Sequence, residues 1–382
     1  MYEKFPYPSI RQGELFDSHP RLCLSYRAGN RFKERLSVLD AGCGTGDCSF
    51  GTALYNRDCQ VTAADFNRPA LERIREEAAS LALTNLTVCE TDLNTLEGLE
   101  VPAAGFDVIV CGGVIHHLAD PERGLSNLVG ALAPNGVMRL MVYNTLGRQS
   151  LTRYVKALRL LHTDSDKPEH RLGLARSLFA SVAGGPLRQA PWGDGGEIDD
   201  IEFVDRYLHP NETSYSVAEY LELLDRAGLV FLRWHEPAYW DLAAYVQDAG
   251  VLEELRRLPE VIQYQLVEHL SNQVMLDAYV AHKGSALAEH SELPQDLIIG
   301  LNPQVVLQVC QQIHGGLSSE VSPRAYLRGR PSIPLQEQDF QLLRRLTRGP
   351  VAVRGLVSGL EERLRLVRLL ESALVFALLP SA

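Results

Sequence analysis

The chain has 382 residues, is 46% hydrophobic and carries a formal net charge of -11 at pH 7. That length exceeds one ordinary core and implies two units or three, and the acidic balance argues against a nucleic-acid substrate gripped through its phosphates. No apolar run reaches the ~18 residues of a membrane span, Met1-Tyr2-Glu3-Lys4 opens no basic-then-apolar leader, and the seven cysteines form no CxxC pair, so a cytoplasmic protein that engages neither membrane nor nucleic acid is expected.

Residues 1–36 begin with Tyr2-Glu3-Lys4-Phe5-Pro6-Tyr7-Pro8, an aromatic and proline-rich stretch ahead of any strand. Prolines lower the cost of ordering an extended segment, so this one is expected to cover a bound ligand. From residue 37 to 144 strand-like and helix-like segments alternate, the pattern of a parallel sheet covered on both faces. The strands are read at 37–40, 60–65, 86–90, 106–111 and 137–143, and the helices at 46–55, 69–83 and 121–132. Pro69 suits a first helical turn, and Gly136 supplies the turn into the fifth strand. The expected fold is a doubly wound, mostly parallel, Rossmann-like α/β sheet, whose ligands sit beyond the carboxyl ends of the strands.

The first strand runs into Asp40-Ala41-Gly42-Cys43-Gly44-Thr45-Gly46-Asp47. Glycines at 42, 44 and 46 let the main chain approach a ligand. The spacing departs from the dinucleotide fingerprint, and Asp40 and Asp47 would meet a pyrophosphate with like charge. A cationic nucleoside suits the turn better. The run resembles motif I of the class I S-adenosylmethionine-dependent methyltransferases, whose cofactor carries a sulfonium and an α-ammonium and no phosphate. The likeness implies contacts from Asp40, Gly42, Cys43, Gly44, Thr45 and Gly46, with S-adenosylhomocysteine as product and no metal.

Asp65 ends the second strand where a ribose-binding acid belongs, although it could instead cap the helix that begins near Pro69. Phe66 beside it suits the adenine face or a core gap. Thr91-Asp92-Leu93 follows the third strand; by the resemblance Asp92 would accept from the adenine amino group and the backbone of Leu93 would meet a ring nitrogen. Gly112 ends the fourth strand, and the segment Gly112-Gly113-Val114-Ile115-His116-His117 is similar to the corresponding part of small-molecule methyltransferases. Gly112 would then meet the methionine end and the two histidines would border the transfer site, the alternative being a hydrogen-bonded structural pair. His116 is the first candidate for a general base. His117, Tyr7, Tyr143, His209 and Tyr215 are read as substrate-side residues.

Residues 145–213 break the alternation. Leu151, Tyr154, Val155, Leu158 and Leu161 form one helical face and Leu172, Ala175, Leu178, Phe179 and Val182 another, followed by a glycine-rich loop at 184–200. This insertion is expected to act as a lid. A helix at 216–227 and a strand at 229–234 then resume a domain spanning 37–240. Residues 241–382 are expected to be mainly helical; the segment 337–379 resembles a small winged-helix unit, with a helical bundle as the alternative and dimerisation or packing as its role. Three functions fit: methyl transfer to a small molecule, methyl transfer to a protein or peptide docked by the tail, and non-catalytic binding of the cofactor.

Overall fold

In a computed structural model the described residues are 36–55, 59–160, 168–182, 198–285, 295, 298–301, 305–314, 317–327, 333–359, 362, 365–366, 369–370 and 374–378. The leading segment with Tyr7, and the 184–197 part of the glycine-rich loop, lie outside them.

The amino-terminal half alternates as the sequence implies: β1 (Ser37–Ala41), α1 (Asp47–Tyr55), β2 (Gln60–Asp65), α2 (Arg68–Ser80), β3 (Leu86–Glu90), β4 (Phe106–Gly112), α3 (Pro121–Ala131) and β5 (Leu132–Tyr143). Local chemistry sets the boundaries. Pro69 sits in the first turn of α2, where its missing N–H costs nothing, and the Asp120 side chain accepts from Arg123 N to cap α3. β4 is buried along Phe106–Cys111, as a strand covered by helices on both faces should be.

Three helices follow β5: α4 (Gln149–Leu160), α5 (Pro168–Ser181) and α6 (Asp200–Leu208). They share a small core of their own in which Tyr154, Phe179, Phe203 and Tyr207 pack edge to face or tilted. Among its described residues the insertion thus holds three helices, one more than its two apolar faces indicated. Next come α7 (Val217–Arg226), opened by a reciprocal capping box between Ser216 and Glu219, β6 (Leu229–Trp234), α8 (Ala249–Arg256), α9 (Glu260–Leu270) and β7 (Met275–His282).

The main sheet has seven strands in the order β3-β2-β1-β4-β5-β7-β6. The first five are parallel, and β7 lies antiparallel between β5 and β6. This corrects the boundary read at residue 240, because the strand that joins β6 to the sheet is β7. Leu266, Leu270 and Val274 extend a helical spacing up to its edge, and a strand buried on both faces does not alternate, so periodicity alone does not reveal it.

The tail also departs from the helical reading. Beyond β7 come β8 (Ile298–Leu301), β9 (Val305–His314), β10 (Leu317–Leu327), β11 (Ile333–Pro334), α10 (Glu337–Leu346), β12 (Val351–Ala352) and β13 (Val375–Leu378). They form two three-stranded sheets, β11-β10-β9 and β12-β8-β13. Within the segment read as winged-helix-like, Val351–Gly355 is β12 followed by a short 3₁₀ turn, and Val375 and Phe376 pair in β13. Ile299, Leu343, Leu346, Val353, Leu366 and Val375 make this unit's separate core.

Candidate active site

Beyond the carboxyl ends of β1, β2, β4 and β5 lies a cavity of about 570 Å³. The turn after β1 forms its first wall. Gly42 has φ +76°, and a Cβ there would come within 2.4 Å of a Val114 methyl, so the chain can pass only without a side chain. The N–H groups of Gly42 and Cys43 both donate to Ala64 O, at 2.8 and 3.0 Å, tying the turn to the end of β2.

At that end Asp65 closes the turn from the other side. Its Oδ2 accepts from Gly44 N at 2.9 Å and its Oδ1 from Asn67 N at 2.9 Å. Asp65 lines the cavity, and with the N–H groups of Gly44, Asn67 and Phe66 engaged its four lone-pair sites keep one position for a further donor. The competing capping reading fails geometrically, because the N-cap residue of α2 is Asn67. Burial nevertheless raises the Asp65 pKa, against the lowering effect of the hydrogen bonds from Asn67, Gly44 and Phe66.

Asp40 sits deeper. It is 5% exposed and accepts from the Ser49 hydroxyl at 2.5 Å. Burial, offset in part by Ser49 and reinforced by the neighbouring charges of Asp65 and Asp47, lifts its pKa to about 6. Asp47 and Asp92 also line the cavity. Four carboxylates against one arginine, Arg139, make a wall suited to cations and hostile to phosphates. Phe66, which is 59% exposed, Leu93 and Thr91 line the same side, and the buried Thr91 Oγ1 has no hydrogen-bond partner among the described residues. At Gly112 an added Cβ would meet nothing within 4 Å, which leaves the floor beside β4 open.

The opposite end is aromatic. His116 and His117 occupy a 3₁₀ turn, Ile115–His117, directly after β4. Only His117 lines the cavity, in company with Tyr143, His209, Pro210 and Asn211. His116 is fully buried behind this wall, its ring 3.9 Å from that of Tyr143 and 4.2 Å from that of His117, and neither of its nitrogens has a hydrogen-bond partner among the described residues. The His117 Nδ1 lies 2.9 Å from Asn211 O, which can only accept, so Nδ1 carries the proton and Nε2 is left as an acceptor. The Nδ1 of His209 meets the same carbonyl, and its ring lies 3.9 Å from that of His117.

Burial lowers all three histidine pKa values. His117 falls to about 3, helped by the charges of His209 and Arg148, His209 falls to about 4, and His116 goes well below its usual value. These rings are therefore neutral across the physiological range. Arg148, 1% exposed, holds Tyr143 from behind, with its guanidinium carbon 3.5 Å above the ring and Nη2 donating to Glu212 Oε2 at 2.9 Å.

Most of the residues singled out in the sequence thus converge: Asp40, Gly42, Cys43, Gly44, Asp65, Phe66, Asp92, Leu93, Gly112, His117, Tyr143 and His209 all line the cavity. Thr45 and Gly46 support the turn from behind it, both buried. Tyr215 pairs its N–H with Tyr143 O at 2.9 Å and packs on the main core away from the cavity. Sequence reasoning missed Arg139, Met141, Asn211 and, behind them, Arg148. No local motif marks these residues; the register of β5 and the fold of the insertion bring them in. Among the described residues no group of three or more His, Cys, Asp or Glu could hold a metal ion, and no helix is long and apolar enough to cross a membrane.

Residues 39–138 match the methyltransferase domain family. Over these residues the chain carries a methyltransferase domain. It is 30% identical over 268 residues to an uncharacterized protein of Synechococcus sp., covering 68% of this chain and 62% of that one. It is 33% identical over 110 residues to a ubiquinone biosynthesis O-methyltransferase of Rickettsia felis, covering 29% of this chain and 42% of the other. The chain thus spans less than two thirds of the length of either relative. Among solved structures, PKMT2 from Rickettsia typhi in complex with AdoHcy shares the fold, with a TM-score of 0.63 at 16% identity over 97% of this chain and 77% of that one.

Proposed function

We propose that this methyltransferase domain is an active enzyme that moves a methyl group from S-adenosylmethionine to a small-molecule acceptor. The observation that carries the reading is the closure of the glycine turn by Asp65, which sets an acid with spare acceptor capacity in the lining of a cavity walled by carboxylates. The residues present fit the group. Asp65 is placed for a ribose hydroxyl, Asp92, Leu93 and Phe66 for adenine, the unpartnered Thr91 Oγ1 offers a further polar contact, and Asp40 with the open floor at Gly112 suits a cationic methionine end.

Bound there, S-adenosylmethionine would supply an electrophilic methyl on a positively charged sulfur. The protein's own work is then to exclude water and align an acceptor. His117 takes the role first read for His116, since His116 does not reach the cavity. Its Nε2 would accept a hydrogen bond from the acceptor's O–H or N–H and hold the proton that this group gives up. The volume of about 570 Å³ lies in the range of small-molecule sites, ~300–1,000 Å³. The insertion contributes His209, Pro210 and Asn211 to the far wall, which supports the lid reading. The O-methyltransferase named above acts in ubiquinone biosynthesis and is consistent with a small acceptor.

Calorimetry with S-adenosylhomocysteine tests the cofactor. Asp65→Ala removes charge-assisted hydrogen bonds of about 1.5–3 kcal/mol, so affinity should fall roughly 10- to 100-fold. Unchanged affinity, or tighter binding of NAD than of S-adenosylmethionine by the wild type, overturns the reading.

The cofactor should also bind with a characteristic pH dependence. Asp40 has a folded-state pKa raised to about 6 from 3.8. Its protonated form stabilises the ligand-free protein below pH 3.8, and that contribution is lost as the pH rises through 6. A cation beside Asp40 favours the ionised form, so affinity should strengthen over the same window, by at most about tenfold per pH unit. Titrations in buffers of different ionisation enthalpy should show proton release near pH 5; none would remove Asp40 from the cation's contacts.

A further inference from the structure

The insertion carries His209 and Asn211 to the wall of the cavity, so that wall is only as well placed as the two junctions that join the insertion to the sheet. The first junction is Asn144, the residue after Tyr143. It is fully buried, and all four of its polar groups are bonded. Its N–H donates to Val274 O at 2.9 Å and its carbonyl accepts from Arg148 N at 3.1 Å. Its Oδ1 accepts from Gly147 N at 2.9 Å, and its Nδ2 donates to Glu268 Oε1 at 2.7 Å. The turn that follows lies hard against the start of β7, since a Cβ at Gly147 would fall 1.9 Å from Gln273 O.

The second junction runs beside the first. Thr213 N donates to His116 O, Tyr215 N to Tyr143 O and Thr145 N to Tyr215 O, each at 2.9 Å. The chain then enters α7 at Val217, where the first N–H groups have no acceptor within the helix. Ser216 Oγ takes the N–H of Glu219, and Glu268 Oε1 takes that of Val217 at 2.9 Å. One oxygen of Glu268 therefore holds both junctions. Glu268 belongs to α9, is 4% exposed, and lies 124 positions from Asn144 and 51 from Val217. Without it two buried donors lose their acceptor, and a buried donor left unpaired costs more than a made bond gains. The junctions are thus committed to one geometry.

We propose that Glu268 is a positioning residue for the acceptor wall: by holding Asn144 Nδ2 and Val217 N on one oxygen it sets the register of the insertion, and with it the Asn211 carbonyl that keeps the His117 proton on Nδ1. The inference rests on the reading of His117 as the residue that faces the acceptor. It adds that the orientation of this histidine is fixed from α9, outside both the cavity and the insertion.

Imidazole NMR and hydrogen exchange on the full chain test it without an acceptor. The wild type should show a single His117 tautomer, protonated at Nδ1. Glu268→Met keeps the length of the side chain and removes the shared oxygen. It should mix the two tautomers and speed amide exchange in α4, α6 and residues 209–217 roughly 5- to 100-fold, with β1 to β4 at wild-type rates. Glu268→Gln retains an oxygen able to accept both bonds, so it should restore both readouts. A single Nδ1–H tautomer in Glu268→Met, acceleration spread evenly over the sheet, or a Glu268→Gln no better than Glu268→Met overturns the inference, because a merely structural carboxyl group would not act on the His117 tautomer. Should Glu268→Met not fold, Asn144→Ala removes one of the two bonds and should give the same local acceleration with mixed tautomers; wild-type behaviour there counts against the proposal. Calorimetry with S-adenosylhomocysteine keeps the two readings apart: failure of the wild type to bind overturns the cofactor reading, while the tautomer alone judges Glu268.

Discussion

His117→Ala should slow methyl transfer by about 10²-fold while cofactor affinity stays nearly unchanged, and single-turnover rates with calorimetric affinities check both halves. General bases contribute roughly 10²- to 10⁴-fold and work best with a pKa near the operating pH. Burial holds His117 down at about 3, so the lower end of that range is expected. Its strength is availability. With Nδ1 bound to Asn211 O, Nε2 is an acceptor at every pH above that value, and the rate should show no histidine inflection between pH 5 and 8. His116→Ala is the contrast. His116 is enclosed against Tyr143 and His117, so its removal should lower the melting temperature and leave the rate per folded molecule almost intact. A silent His117→Ala with a slow His116→Ala would reverse the two roles, and a silent pair would make catalysis here a matter of positioning.

Arg148→Ala should cost about 3–5 kcal/mol of folding stability in urea unfolding, the usual consequence of leaving one member of a buried ion pair without the other. Arg148 is 1% exposed, its partner Glu212 has a side chain only 11% exposed, and its N–H donates to Asn144 O at 3.1 Å just after β5. The double variant Arg148→Met with Glu212→Leu replaces the pair by apolar groups of similar bulk and should recover much of the loss. A functional signature accompanies it. The Arg148 charge is one of the causes that depress His117 and His116, so in the double variant the histidine resonances should titrate at higher pH, with burial still keeping them below the usual value. A loss under ~1 kcal/mol for Arg148→Ala would mean that the pair behaves as if exposed. The Tyr143 wall would then owe its position to packing alone.

What the sequence by itself determined about this protein is the part whose chemistry is local. A glycine turn after a strand, acids at the ends of β2 and β3, a proline in the first turn of α2 and the capping box at Ser216 are decided by residues a few positions apart, and all of them stand where their spacing put them. The parallel half of the sheet was legible for the same reason, since apolar strands and amphipathic helices alternate there without ambiguity. Tertiary structure alone decided three further matters. The first is the sheet's completion: Met275–His282 is buried on most of its length and follows a helical spacing, and only the space between β5 and β6 makes it a strand. The second is which of two adjacent histidines faces the ligand. Successive residues of a 3₁₀ turn point about a third of a turn apart, so His116 enters the core and His117 the cavity according to how the turn docks against Tyr143, which no local pattern encodes. The third is the placement of Arg139 in one row with Asp40, on either side of Val110. Ninety-nine positions separate them in the chain, and only the register of β1, β4 and β5 sets them in one row, because strand pairing is a long-range choice made by the burial of whole faces.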